Sequence, residues 1–172
     1  MLDGLIIARG NADGPRLGQE PDYDYRFRYG AGPYNQAGNP TLTNCTFFGN
    51  IAYEGNALVC DSPEQKSPGN VEIINCILWD GGGEIWNNDD SVITITYSNI
   101  WGGFSGRGNI DADPLFARAG YWVDFYDSNI IVEPDDPNAS WTDGDYHLKS
   151  QAGRWDPFSE SWADWLGAMV GM

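Results

Sequence analysis

The chain has 172 residues, room for one domain with a real core, and its length does not argue for two. Its 25 acidic residues against 9 basic give a formal net charge of −16, which repels a phosphate backbone or an anionic membrane surface and argues against nucleic acid and membrane as partners. Glycine reaches 22 residues and aromatics 14%, a mix that favours strands and tight turns over long helices, so the expected class is all-β.

Cys45, Cys60 and Cys76 are an odd set of 3 and make no disulfide framework. Cys45 and Cys76 lie in apolar strand contexts, where a free thiol behaves as a small buried hydrophobe. The only imidazole is His147 and no Cys-x-x-Cys pair occurs, so a zinc-type site is not expected. No hydrophobic run is long enough to span a bilayer. The N-terminal "MLDGLIIARG" lacks the basic flank and cleavage site of a signal peptide. The chain opens inside a strand-like pattern, and is expected to be a piece of a longer protein.

In chain order, the strand-like "LDGLIIARG" (2–10) leads into a long polar insertion at 13–29, in which Tyr23, Tyr25, Phe27 and Tyr29 alternate. Three short strands opened by glycine follow at intervals, in "GAGPYNQAG", "GNALVCDS" and "GEIWNND". Between and after them come "NPTLTNCTFFGN", "GNVEIINCILWD" and "ITITYSNIWGG". Asn-Cys at 44–45 recurs at 75–76, an offset of 31 residues, and Tyr-Ser at 97–98 follows 22 residues later. A unit of that size cannot bury its own apolar face and must stack on its neighbours.

Stacking the units as rungs of a parallel β-solenoid places Cys45, Cys76 and Ser98 in one column lining a narrow interior corner. Asn44 and Asn75 then form an amide ladder at the turn, where asparagine tolerates left-handed backbone. Phe48, Trp79 and Trp101 fall in another column, read as an internal aromatic ladder. Beyond residue 116 the periodicity fades, and the stretch 117–145 is expected to be irregular and to fold back over the stack. Trp162, Trp165, Leu166, Met169 and Val170 recur at helical spacing behind Ser161 and Asp164, which predicts a short helix. The expected organisation is one domain over 1–158, with 159–172 either a helix capping the open end or a foreign tail. Uncovered ends would let such a stack associate end to end.

The segments "LDGLIIARGNADG", "GNPTLTNCTFFGN", "VEIINCILWDGGGEIWN", "ITYSNIWGG", "GRGNIDADPLF" and "DGDYHLKSQAGRWDP" together resemble the right-handed parallel β-helix proteins of the pectin-lyase-like superfamily. In particular they are similar to large secreted or surface proteins of planctomycetes and related bacteria. The resemblance implies a right-handed β-helix of about three to five rungs, and an extracellular or cell-surface location. It carries function weakly, because the superfamily includes lyases, hydrolases, adhesins and binding modules.

A lyase of this kind needs Ca²⁺ held by carboxylates on one face and a basic residue to take a proton. Asp111 and Asp113, flanked by Arg107 and Arg118, are the candidate ligands, because alternate residues of a strand point the same way. Asp89 and Asp90 are the weaker pair, since neighbours on a strand face opposite ways. The Gly-His-Gly and Arg-Ile-Lys elements of the superfamily's hydrolases do not occur. His147 lies in the closing strand pattern and is read as structural. "DGGGEIW" precedes a strand, not a helix, and is no phosphate loop.

Aromatic side chains suggest the other chemistry. Flat sugar faces pack on exposed rings with polar groups at the edges, which makes Tyr23, Tyr25, Tyr29 and Trp86 the candidate carbohydrate-binding residues. The expected function is a non-catalytic extracellular β-helix domain, a structural spacer or a polysaccharide-binding module. The alternative is a Ca²⁺-dependent lyase acting on uronate polymers.

Overall fold

Alternation of apolar and polar residues at a period of two sets the local structure. In Asn70–Ile74, Val71 and Ile73 are buried while Asn70, Glu72 and Ile74 face out. A computed structural model describes residues 1–12, 29–62, 67–134 and 136–148, together with the backbone of 154–156 and 161–163.

The protein is all-β. Its first thirteen strands are β1 (Leu2–Asp3), β2 (Ile6–Ala8), β3 (Asn11–Ala12), β4 (Tyr34–Asn35), β5 (Thr41–Thr43), β6 (Thr46–Phe48), β7 (Ile51–Ala52), β8 (Leu58–Cys60), β9 (Asn70–Ile74), β10 (Ile77–Trp79), β11 (Ile85–Asn87), β12 (Val92–Thr96) and β13 (Asn99–Ile100). They form three parallel sheets, β1-β5-β9-β12, β2-β6-β10-β13 and β4-β8-β11, with a short parallel pair β3-β7. Successive passes of the chain visit the sheets in the same order. Leu42 pairs with Leu2 and with Ile73, and Ile73 pairs with Ile95.

The core lies between the sheets as columns of like side chains. Leu42, Ile73 and Ile95 stack in the first sheet, Phe47, Leu78 and Ile100 in the second, and Leu58 and Cys60 come from the third, all at 2% exposure or less. Burying each such side chain is worth roughly 1.5–3 kcal/mol, which holds a stack whose strands are only two to five residues long.

The corner between the first two sheets explains the repeated Asn-Cys. Asn44, Asn75 and Tyr97 all have left-handed backbone, with φ of 55°, 53° and 52°. Asn75 Nδ2 donates to Asn44 Oδ1 at 2.6 Å, and Asn44 Nδ2 donates to Asp3 Oδ1 at 2.8 Å. Beneath this ladder, the Cys45 N–H donates to Cys76 Sγ at 3.4 Å and the Cys76 N–H to Ser98 Oγ at 3.0 Å. Cys76 Sγ and Ser98 Oγ each accept the N–H of the residue one layer away, so the position suits a residue that is both compact and a sulfur or oxygen acceptor. The cysteines are free and buried.

Three expectations are corrected. Phe48, Trp79 and Trp101 stack, but outward: Phe47, Leu78 and Ile100 take the inside, and Trp101 is 45% exposed. The period of two decides this, because the buried Cys and Ser two residues earlier put Phe47, Leu78 and Ile100 on the inner face. Asp111 and Asp113 lie on no strand; after an isolated bridge between Asn99 and Ile110 the chain turns away. Ser161–Ala163, where a helix was expected to begin, is a strand, paired antiparallel with Arg154–Asp156. Pairing between segments overrides local helical periodicity there; Trp165, Leu166, Met169 and Val170 lie outside the described residues.

The stretch 117–145 holds more order than expected. Strands β14 (Phe116–Arg118) and β17 (Asp145–Leu148) pair antiparallel, as do β15 (Tyr121–Asp124) and β16 (Ala139–Thr142). It does fold back on the stack: Phe116 meets Phe48 edge-on at 5.4 Å, Tyr146 lies 5.3 Å from Phe116, and Trp141 covers Gly49. A side chain at Gly49 would collide with that indole.

Candidate functional site

The outer face of the third sheet carries the first candidate surface. Ile85 pairs with Leu58 and turns inward, so Trp86, level with Tyr34 and with the fully buried Val59, lies half-buried on the opposite face. Tyr29 stacks on Trp86 with ring centroids 4.5 Å apart and an interplanar angle of 25°, and Tyr53, 51% exposed, lies 6.3 Å from Tyr29. Polar groups rim this surface: Tyr34 donates its hydroxyl to Asp61 Oδ2 at 2.6 Å and Asn88 Nδ2 donates to Asp61 Oδ1 at 3.1 Å. Two of the four aromatic residues singled out from sequence, Tyr29 and Trp86, are thus brought together. Tyr23 and Tyr25 lie outside the described residues.

A second surface lies on the outer face of the second sheet. Trp79 and Trp101 sit 4.8 Å apart at 56°, and the 113–119 segment faces them across a groove of about 440 Å³. Phe48, Phe116, Asp80, Asp113 and Arg118 complete its lining. A larger hollow of about 580 Å³ runs along the asparagine ladder past Tyr97 to His147, and shares Asp113 and Pro114 with the groove.

Under the groove is a carboxyl pair that sequence reasoning missed. Glu84 is only 4% exposed, and its Oε1 accepts the N–H groups of Asp80 at 2.9 Å and Gly82 at 3.1 Å. Asp80 Oδ1 accepts both the N–H and the side-chain amide of Asn50, at 2.8 and 3.0 Å. Asn50, fully buried, binds on to Ile7 O and to the Gly10 N–H, tying three layers together. Asp80 Oδ2 and Glu84 Oε2 are buried without a hydrogen-bond partner, a lack that a proton held between the two carboxyls would relieve. Burial first, and then the Glu84 charge, push the Asp80 carboxyl up to about 8, while burial raises Glu84 as well. The pair therefore keeps a proton at neutral pH. The visible signal was two acids flanking three glycines in "WDGGGE"; Gly81, Gly82 and Gly83 all have positive φ, which makes the tight turn that closes the pair.

The remaining candidates stay apart. Asp111 and Asp113 are exposed, and Asp113 Oδ1 is engaged by the Leu115 N–H at 2.8 Å in an ordinary turn. Asp89 is fully buried and its Oδ1 accepts the Ser91 hydroxyl at 2.6 Å, whereas Asp90 is exposed. Arg107 lies 5.5 Å from the centre of the Tyr97 ring and Arg118 donates to Asp143 O. His147 is exposed on β17 with Nδ1 against Asp145. Among the described residues no three His, Cys, Asp or Glu side chains converge as a metal group. Burial pushes the Cys76 thiol up to about 11 and raises that of Cys60, so neither offers a thiolate.

No family model, curated protein or solved structure matches the chain.

Proposed function

We propose that the chain is a right-handed parallel β-helix domain, of the pectin-lyase-like kind, from a secreted or surface protein, and that it holds polysaccharide without catalysing a reaction on it. The three parallel sheets visited in the same order, four strands deep in the first two, support the fold reading. So does the register, which advances by 31 and then 22 residues along the cysteine and serine column.

The observation that carries the binding reading is the Tyr29 ring stacked on Trp86 on an outward sheet face, with Asp61 and Asn88 at its edge. An aromatic platform of this kind offers a sugar ring an apolar face, and the polar rim offers partners for its hydroxyls. Affinity electrophoresis through gels containing neutral or acidic polysaccharides tests it. The native protein is expected to be retarded in a neutral gel and Trp86→Ala to be retarded clearly less. Unretarded migration of the native protein in every gel would leave the domain as a structural spacer. The lyase alternative draws no support from the exposed, turn-forming Asp113 or from the separation of the other acids.

A further inference from the structure

The groove on the second sheet is a different place from the Tyr29–Trp86 platform, and its chemistry can be read separately. Two indoles meet there at 4.8 Å with their planes 56° apart, and Trp101 keeps 45% of its surface exposed. A monomer has little reason to leave a ring of that size open beside another indole unless something packs on it. Phe48 and Phe116 close the far side of the groove, edge to face at 5.4 Å. At about 440 Å³ the space falls in the range of roughly 300–1,000 Å³ typical of small-ligand sites.

Polar groups at the rim can address hydroxyls. Asp113 spends Oδ1 on the Leu115 N–H and keeps Oδ2, and Arg118 spends one guanidinium N–H on Asp143 O and has others in reserve. The Asp113 carboxylate and the Arg118 guanidinium cancel, and the Asp80–Glu84 pair, holding one proton between two carboxyls, leaves the groove with about one negative charge. The whole chain carries −16, so an anionic ligand is disfavoured at any distance where charge is felt. We propose that this groove is a binding site for a neutral pyranose unit of a glycan, which stacks on Trp101 and is held at its edge by Asp113 and Arg118. The floor is rigid because Asp80, next to Trp79, is fastened to Glu84 and to Asn50. This inference shares the glycan class with the proposed function but not the site.

Calorimetric titration of the full chain with cellohexaose, mannohexaose and xylohexaose, each neutral, provides the test. At least one is expected to bind, with Trp101→Ala weakening it roughly tenfold or more and Trp101→Phe, which keeps a ring, only a few-fold. Trp86→Ala is expected to leave that binding unchanged, and matching urea midpoints for the Trp101 variants would show that they fold. Three outcomes overturn the proposal: no hexasaccharide binds, binding survives Trp101→Ala intact, or sedimentation shows a second copy of the chain occupying Trp101. If binding is lost in Trp86→Ala and kept in Trp101→Ala, this inference falls while the proposed function stands. The reverse pattern keeps this site and removes the platform.

Discussion

The stacked region up to Ile110 and the antiparallel region from Phe116 to Leu148 are built from similar residues and held together by different means. In the first, most inward side chains have a like side chain one layer away, and the buried cluster is continuous from Leu42 to Ile100. In the second, Phe116 and Val123 are the buried hydrophobics among the described residues, and cohesion comes from rings: Trp122 against Trp141 at 5.1 Å, Phe48 against Tyr146 at 5.4 Å. A repeated register lets short strands share one core. A region without that register must borrow a surface, and this one borrows the outer face of the second sheet, at Phe48 and Gly49.

The largest effect should separate the two regions directly. Ile73→Ala opens a hole between Leu42 and Ile95 and is expected to cost about 3 kcal/mol, within the 2–5 kcal/mol usual for such truncations. Val123→Ala, in the antiparallel region, should cost about 1.5 kcal/mol for its two methyl groups. Urea unfolding followed by both far-ultraviolet circular dichroism and tryptophan fluorescence measures both. Equal costs would mean that the regions share one core after all.

Next in size is a pH effect confined to the stack. Between the usual carboxylate range and about 8, the folded protein keeps on the Asp80–Glu84 pair a proton that the unfolded chain has released. The stabilisation is therefore whole in acid and drains away as pH rises through that window. Asp80→Asn can still accept from Asn50 and donate to Glu84, and has no proton to lose. Its stability relative to the native protein should rise steadily from pH 5 to pH 8. A constant difference across that range would rule out the shared proton.

The smallest effect expected is at the corner. Asn75→Ala removes the 2.6 Å bond to Asn44 and leaves alanine at φ 53°, for about 1–2 kcal/mol together. The midpoint of thermal unfolding reports it, and Asn75→Gly, which relieves the backbone but not the bond, should recover part of the loss. Full stability in Asn75→Ala would show that the ladder is ornamental to the stack.

Much of this was legible in the residues. The 31- and 22-residue offsets, the column of Cys45, Cys76 and Ser98, and the left-handed asparagines follow from local pattern, because period-two alternation and the backbone tolerance of asparagine act within a few residues. The pairing of Tyr29 with Trp86 was anticipated only as a shared surface. What composition and spacing left undecided depends on segments distant in the chain. Whether Trp79 and Trp101 face in or out turns on which residue of each strand meets the core. The Asp80 carboxyl is raised because burial and the Glu84 charge outweigh the two hydrogen bonds that Asn50, 30 residues earlier, donates to it. The 116–148 segment finds its place on rings of the second sheet, and no repeat predicts that contact. Local pattern therefore accounts for the layers and their corner. Burial, which depends on what the rest of the chain brings alongside, set the outward aromatic faces and the charge state of the acids beneath them.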